Sequence, residues 1–190
     1  MAMHNELWFP SVVWSSLVHV ADNVELKKWI YEKKRSDQGR VLSNINGWQS
    51  QDLVLGENEH IDRLTEEISS EISSCCQQVG LPKLRIYNSW INVNPPGAYN
   101  QLHNHIGAVF SGVYYISVSP NQGNLKFQRS DNAEYHLPET IVHPTYFNMF
   151  EATYAPKNNA LLIFPGWLKH SVEPNMSNHD RISFSFNYGI

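Results

Sequence analysis

Three histidines of this sequence have the spacing of metal ligands. His103 and His105 are separated by one residue, and His170 follows an apolar run and a Pro-Gly turn. Side chains at positions i and i+2 of a β-strand point to the same face, so an extended chain would aim His103 and His105 at one point. His170, on a distant strand, could reach that point if the sheet closes into a barrel or a sandwich. Because imidazoles that converge in this way are ligands of divalent transition metals such as iron, the pattern predicts a metalloprotein.

An arginine follows these histidines at the start of an alternating segment. Arg181 lies 11 positions after His170, and polar residues alternate with Ile, Phe and Tyr from there to Tyr188. This alternation predicts a half-buried strand with one polar and one aromatic face. Ser183 and Ser185 fall on the same face as Arg181, so the three side chains can point inward together.

Two helices are expected in the N-terminal half. The first covers 24–34, with Asp22 or Asn23 as its N-cap. The second covers 57–79, where apolar residues recur at steps of three or four and polar residues occupy the other face. An apolar stripe of this kind predicts a helix that packs on the outer face of a sheet.

From about position 84 the pattern changes to short strands. A segment at 130–154 is polar and irregular, and we expect it to form the loops that govern specificity. The strands are predicted at 85–93, 108–118, 124–128, 160–164, 170–172 and 181–188. This order predicts a mainly β fold with the helices packed outside it, in one domain of residues 1–190. Residues 1–83 would support a strand core at 84–190 that carries the site.

Composition excludes some functions. The formal net charge is −4 and the basic residues are scattered, which argues against a nucleic-acid partner. The sequence contains no run of eighteen apolar residues, so no membrane span is predicted. The N-terminus lacks the pattern of a signal peptide. Cys75 and Cys76 are adjacent and do not form an ordinary disulfide, so a reducing, cytoplasmic location is expected. The Trp-rich N-terminal segment is a candidate contact for a homodimer.

Several motifs resemble those of a known family in sequence order. The motifs of the C-terminal half are GAYNQLHNH at 97–105, SGVYYI at 111–116, GNLKF at 123–127, LIFPG at 162–166 and RIS at 181–183. With them, this half is similar to the double-stranded β-helix, a cupin-like jelly roll, of the Fe(II)/2-oxoglutarate-dependent dioxygenases, which include the prolyl hydroxylases. The segments NGWQS at 46–50 and WIN at 90–92 also resemble a subgroup of small 2OG-Fe(II) oxygenases of bacteria and phages.

The resemblance implies an activity and a set of site residues. It implies Fe(II) as the metal, 2-oxoglutarate as co-substrate, and hydroxylation of a peptide or small molecule by O₂ with decarboxylation of 2-oxoglutarate to succinate. The metal ligands it implies are His103, His105 and His170. The residues it implies for the co-substrate are Arg181, Ser183, Asn92 and Tyr115.

One position departs from the family pattern. The family uses His-x-Asp/Glu with a distal histidine, whereas this chain has His105 in place of the carboxylate. Three neutral imidazoles leave a higher net positive charge on the metal, which favours an anionic 2-oxo acid. Three-histidine sites also suit zinc and copper.

Two other functions stay open on the sequence alone. A cupin-type three-histidine enzyme would not use a 2-oxo acid, but the glutamate expected four to six residues after the H-x-H pair is absent. A non-enzymatic jelly roll that binds a sugar or a peptide is the other alternative.

Some aromatic and polar residues have two interpretations each. The shared face of Trp90, Asn92 and Asn94 would line the pocket or meet water, and Trp167 would cover the metal or anchor its turn. Only one of Tyr114 and Tyr115 can face the interior. Three further histidines lack a partner at ligand spacing and are not expected to bind the metal: His136, His143 and His179.

Overall fold

The computed structural model describes residues 3–4, 6–19, 23–131 and 140–190, and two helices and eleven strands lie within them. The helices are α1 (Asn23–Ser36) and α2 (Glu59–Val79). The strands are β1 (Trp14–Leu17), β2 (Asn44–Ile45), β3 (Trp48–Gln49), β4 (Arg85–Asn94), β5 (Tyr99–His103), β6 (Phe110–Ser117), β7 (Leu125–Gln128), β8 (Glu151–Tyr154), β9 (Ala160–Pro165), β10 (His170–Val172) and β11 (Arg181–Gly189).

The strands form two antiparallel sheets that share a core. One sheet has six strands in the order β1-β9-β6-β11-β4-β3, and the other has five in the order β2-β5-β10-β7-β8. Tyr115, Leu162 and Phe164 of the larger sheet pack with Leu125 and Phe127 of the smaller one. The mainly β jelly roll is therefore confirmed, as two open sheets rather than a closed barrel.

Helix α2 covers the outer face of the six-stranded sheet, as its apolar stripe predicts. The side chain of Asn58 accepts hydrogen bonds from the backbone N–H groups of His60 and Ile61, and so fixes the first turn. Gly80 ends the helix in the left-handed conformation, with φ of 70°. The buried side of the helix, which includes Ile68 and Ile72, belongs to one cluster with the apolar residues of β11 and β4.

Strand β11 is buried on both faces, so the half-buried strand expected there is wrong in this respect. Its aromatic face, with Phe184 and Phe186, packs in the cluster beneath the helices. Its polar face is also enclosed, because β11 lies between β4 and β6 and faces the interior of the sandwich. Arg181 and Ser183 are accordingly 3% and 7% exposed. A polar face that is buried in this way indicates a cavity rather than a solvated surface.

Three further features differ from the sequence-based expectation or lie outside its reach. Within the segment expected to be irregular, β8 pairs with β7 at the edge of the smaller sheet. The turn at Asn46 and Gly47 carries the chain from β2 in one sheet to β3 in the other, and Asn46 adopts a positive φ of 58°. Asp22 and His136 lie outside the described residues. Of the helices that are described, neither is long and apolar enough to cross a membrane.

Replacing Ile68 by Ala tests the helix–sheet contact. Ile68 is fully buried at the centre of α2, so the cavity left behind should lower the free energy of unfolding by about 2–5 kcal/mol. The midpoint of urea unfolding, read at an unchanged m-value, measures the loss. The matched control is Val79→Ala at the 42%-exposed end of the same helix, which should change stability by less than about 1 kcal/mol. Equal losses for the two variants would contradict this account of the packing.

Candidate metal centre and its cavity

His103 and His170 are cross-strand neighbours. His103 is the last residue of β5, His170 is the first of β10, and the two are directly paired in the antiparallel register of these strands. Their ring centroids are 4.3 Å apart. Residues 67 positions apart thus meet as paired neighbours within one sheet of the sandwich.

His105 reaches the same point from a loop. Strand β5 ends at His103, so the same-face rule for strands does not position His105. The backbone N–H of His105 donates to the carbonyl of Gly166 at 2.8 Å, which fixes the loop beside β9. The ring lies parallel to that of His170, with centroids 5.1 Å apart and an interplanar angle of 6°. Trp90, which lies on β4, also stacks on His105, with the ring centroids 5.8 Å apart.

The three imidazoles fit a metal ion. One ring nitrogen from each lies within 4.8 Å of those of the other two. Nδ1 of His103 is 2.7 Å from the carbonyl of Gln101, and Nδ1 of His170 is 2.9 Å from that of Leu168. A carbonyl can only accept, so both Nδ1 atoms carry the proton and both Nε2 atoms offer a lone pair. Histidine ligands in proteins are usually oriented by such a bond from the second ring nitrogen.

Burial keeps these rings neutral. Burial, together with the neighbouring imidazoles, lowers the pKa of His170 to about 3. Burial and the charge of His103 lower the pKa of His105 to about 4. The pKa of His103 is also lowered, mainly by burial, although its bond to Gln101 opposes the shift. Neutral imidazole is the form that binds a metal, so the centre needs no deprotonation at neutral pH.

A cavity of about 500 Å³ opens between the two sheets at this centre. Its walls contain two arginines and many amide and hydroxyl groups, and no described Asp or Glu lines it. The residues that line it on the larger sheet include Gln49, Asn88, Trp90, Asn92, Tyr115, Phe164, Arg181, Ser183, Ser185 and Asn187. A polar wall without acidic residues, and with one buried arginine, Arg181, suits an anionic ligand.

Arg181 is a buried cation in this cavity. Its Nη1 donates to the carbonyl of Gln122 and lies 3.4 Å from the carbonyl of Glu173. Within the described part of the chain no carboxylate pairs with it, and burial lowers its pKa. Tyr115 lies close by as a neutral phenol, since burial raises its pKa to about 12. A buried guanidinium without a counter-ion favours binding of a carboxylate.

The other residues singled out in the sequence divide between cavity and core. Tyr115 faces the cavity, while the hydroxyl of Tyr114 donates to the carbonyl of Val18 on the other side of the sheet. Asn94 bonds to Asn100 instead of lining the cavity with Trp90 and Asn92. Trp167 is half exposed and lies outside the cavity wall.

Arg40 and Gln49 are among the cavity residues that were not identified from the sequence. Gln49 belongs to the NGWQS segment, which was noted only for its resemblance, and Arg40 precedes that segment by six positions. No spacing rule connects them with the histidines. Of the remaining histidines, the described His143 and His179 are not part of the three-histidine group.

A comparison with protein families gives one match. The model of the family described as "Putative 2OG-Fe(II) oxygenase" matches residues 88–187, which include all three histidines and Arg181. No curated protein matches the chain.

The fold is also that of solved structures from the same enzyme class. A Pseudomonas putida prolyl-4-hydroxylase has a TM-score of 0.65 at 16% identity, with 94% of this chain and 92% of that chain covered. A Trichoplax adhaerens prolyl hydroxylase, in complex with a peptide fragment of the hypoxia inducible factor, has a TM-score of 0.69 at 15% identity, covering 93% and 83%. HygX from Streptomyces hygroscopicus, with nickel and 2-oxoglutarate bound, has a TM-score of 0.64 at 13% identity, covering 94% and 83%. These likenesses establish the fold.

The depressed histidine pKa values predict a pH dependence of the metal-free protein. The unfolded chain has histidines of ordinary pKa, about 6.5, so between about pH 6.5 and pH 4 it binds protons that the folded chain does not. The free energy of unfolding should therefore fall as the pH is lowered through this window. His170→Gln removes one such group and should flatten the fall, measured by urea unfolding in chelator at pH 7 and 4.5. The control His143→Gln, at an exposed site, should behave like the parent, and an equally steep fall in the His170 variant would refute the assignment.

Proposed function

This chain belongs to the 2OG-Fe(II) oxygenase family, and we propose that it hydroxylates a substrate in a reaction that requires Fe(II), 2-oxoglutarate and O₂. The observation that carries the proposal is one cavity that contains three convergent neutral imidazoles and a buried arginine without a counter-ion. A cupin-type enzyme would use the imidazoles but would have no need of the arginine.

The metal would be held by His103, His105 and His170. Bound together, Fe(II) and 2-oxoglutarate would activate O₂, of which one oxygen atom would enter succinate, with loss of CO₂, and the other would enter the substrate as a hydroxyl. The carbonyls of Gln101 and Leu168 hold two of the rings in the tautomer that presents Nε2. The protein therefore fixes the ligand directions before any metal arrives, which limits the reorganisation that binding requires.

The far carboxylate of 2-oxoglutarate would be held by Arg181. Ser183 lies on the same strand face, and its cross-strand partners Asn92 and Tyr115 line the cavity on either side of it. The guanidinium provides a charge-assisted contact, while the hydroxyl and amide groups add directed hydrogen bonds. Apolar side chains such as Phe164 and Leu125 complete the wall and keep water from the ligand.

The histidine at position 105 changes the charge of the centre. A carboxylate ligand would cancel one positive charge of the metal, whereas His105 cancels none. The stack of Trp90 on His105 further limits the access of water. We expect the centre to hold the anionic co-substrate more tightly than a site with a carboxylate ligand would.

The primary substrate would be a peptide or a small molecule. The Trichoplax enzyme of similar fold is bound to a peptide fragment, which supports a peptide as one class. The two buried cysteines of α2 are free thiols, which is in keeping with the cytoplasm as the place of action.

The activity test uses the pure protein with Fe(II) and 2-oxoglutarate in air. Succinate should form slowly even without the primary substrate, and chelator should abolish it. His170→Ala should remove one of three ligands and reduce the metal content after desalting at least tenfold, with His143→Ala as the unaffected exposed control. Metal content that survives the His170 change, or succinate formation that ignores chelator, would argue against the proposal.

A second test separates the oxygenase from a cupin-type enzyme. Arg181→Gln should weaken 2-oxoglutarate binding at least tenfold, because a buried charge-assisted hydrogen bond contributes about 1.5–3 kcal/mol. Anaerobic titration of the Fe(II)-loaded protein, followed by visible absorption, gives the dissociation constant. Arg181→Lys keeps the charge, so its dissociation constant should lie between those of the parent and the Arg181→Gln variant. Such an intermediate value would show that the loss of affinity is not a folding defect. Arg63→Gln, at an exposed position on α2, is the control, and unchanged affinity in the Arg181→Gln variant would favour the cupin alternative.

A further inference from the structure

A row of polar side chains crosses the floor of the cavity. Gln49, Asn92, Ser183 and Tyr115 are successive cross-strand partners on β3, β4, β11 and β6. All four line the cavity. Adjacent strands are about 4.8 Å apart, so the row spans about 14 Å across the sheet. Arg181 lies on the same strand as Ser183, and the proposed co-substrate site takes Tyr115, Ser183 and Asn92, which leaves the Gln49 end of the row.

The other end of the row has unused hydrogen-bonding groups. Gln49 is 3% exposed, and among the described residues its side-chain amide makes no hydrogen bond. The amide of Asn92 donates to the hydroxyl of Ser185 at 3.1 Å, while its Oδ1 is buried without a partner. Buried polar atoms of native proteins are nearly always satisfied, so the unpartnered Oδ1 of Asn92, beside a Gln49 side chain without a bond of its own, indicates a missing ligand at this wall.

Arg40 stands at this end of the row. Its backbone N–H donates to the carbonyl of Gln49 at 2.8 Å, and its guanidinium lies over the ring of Trp90, 5.7 Å from the centroid. Nη2 pairs with Asp52, whose side chain is half exposed, but Nε is buried without a partner. Because Trp90 also stacks on His105, the guanidinium is connected to the metal centre through one indole ring.

The loop before Arg40 is held in place. The carboxylate of Asp37 accepts hydrogen bonds from the backbone N–H groups of Gly39 and Gln51, at 2.7 and 3.1 Å. Gly39 has a φ of 73°, and a Cβ at this position would lie 2.6 Å from the ring of Trp48. The backbone that leads to Arg40 therefore has one conformation, which helps to hold the buried Nε donor in one place.

We propose that Arg40 and Gln49 form a second anion subsite, which binds a carboxylate of the primary substrate. The inference rests on the proposed function, since it assigns the substrate of that same cavity. A carboxylate accepts hydrogen bonds from the Nε of Arg40 and from the side-chain NH₂ of Gln49 at once, whereas the unpartnered Oδ1 of Asn92 is an acceptor and adds nothing to its binding. No described Asp or Glu lines the cavity, so no carboxylate of the wall would repel such a substrate. Trp90 provides a flat surface for the body of the molecule.

The experiment uses protein loaded with Mn(II) and saturating 2-oxoglutarate. Mn(II) broadens the proton NMR signals of any small molecule that binds near it. The probes are benzoate and N-acetylglycine, each with its primary amide as the matched neutral control, and inorganic phosphate as a different anion. Both acids should bind saturably, at least tenfold more tightly than their amides and than phosphate, and added 2-oxoglutarate should not displace them.

Variants locate the binding. Arg40→Gln should weaken acid binding at least tenfold, and by more than it weakens 2-oxoglutarate binding, while Arg40→Lys should retain part of it. Gln49→Glu is isosteric and should abolish acid binding by repulsion without loss of the fold, as circular dichroism would verify. Arg35→Gln, an exposed arginine on α1, is the control.

The outcomes separate the two proposals. Equal binding of acids and amides, equal binding of phosphate, unchanged binding in the Arg40→Gln variant, or no saturable acid binding would each overturn the subsite. Failure of 2-oxoglutarate to bind would overturn the proposed function instead. In that case the dependence of acid binding on Arg40 is still measured with the Mn(II)-loaded protein alone.

Discussion

The direct pairing of His103 with His170 is the contact on which the site depends. The antiparallel register of β5 and β10 sets two imidazoles side by side, and each is oriented by a backbone carbonyl two residues before it in the chain. A slip of the register by one residue would turn one ring to the opposite face of the sheet. The third imidazole, that of His105, needs no strand of its own, because its loop is anchored to Gly166, directly after β9 of the facing sheet.

The interior of the sandwich is built around an enclosed polar surface. The inner face of β11 and β4 carries buried hydroxyl, amide and guanidinium groups, where an apolar surface is the ordinary expectation for a core. Such a surface is stable only where its groups bond to one another or to a ligand. Ser111, Asn187 and Asn88 form a connected chain of hydrogen bonds. Among the described residues, the side chain of Asn92, in contrast, bonds only to Ser185 through its amide and keeps an unpartnered Oδ1. The difference separates the part of the wall that supports the fold from the part that is available for binding.

Much of this could be predicted from local sequence patterns. The stripe of α2 and the alternation of β11 each depend on a repeat within one element, and both elements are found where they were expected. Convergence of the three histidines was also predicted, although for the wrong reason in two respects. His105 lies beyond the end of β5, and His170 is adjacent to His103 within one sheet. Strand pairing between distant segments leaves no local trace, and this is why the register could not be derived.

A similar reason explains why strand β8 and the cavity residues Arg40 and Gln49 were not predicted. β8 is short and half exposed, so its composition resembles that of a loop, and only its pairing with β7 makes it a strand. Arg40 and Gln49 are polar residues in a turn-rich segment, where a surface position is the ordinary expectation. Their burial follows from the pairing of β3 with β4, which is again non-local.

The turn at Asn46 and Gly47 sets a mechanical limit on the sandwich. β2 is paired to the strand that carries His103, and β3 to the strand that carries Asn92, so a two-residue connection bridges the two sheets at this border. An extended residue spans at most about 3.5 Å, so the sheets cannot be pried apart there without breaking strand pairing. The two sheets therefore keep a fixed separation at this border.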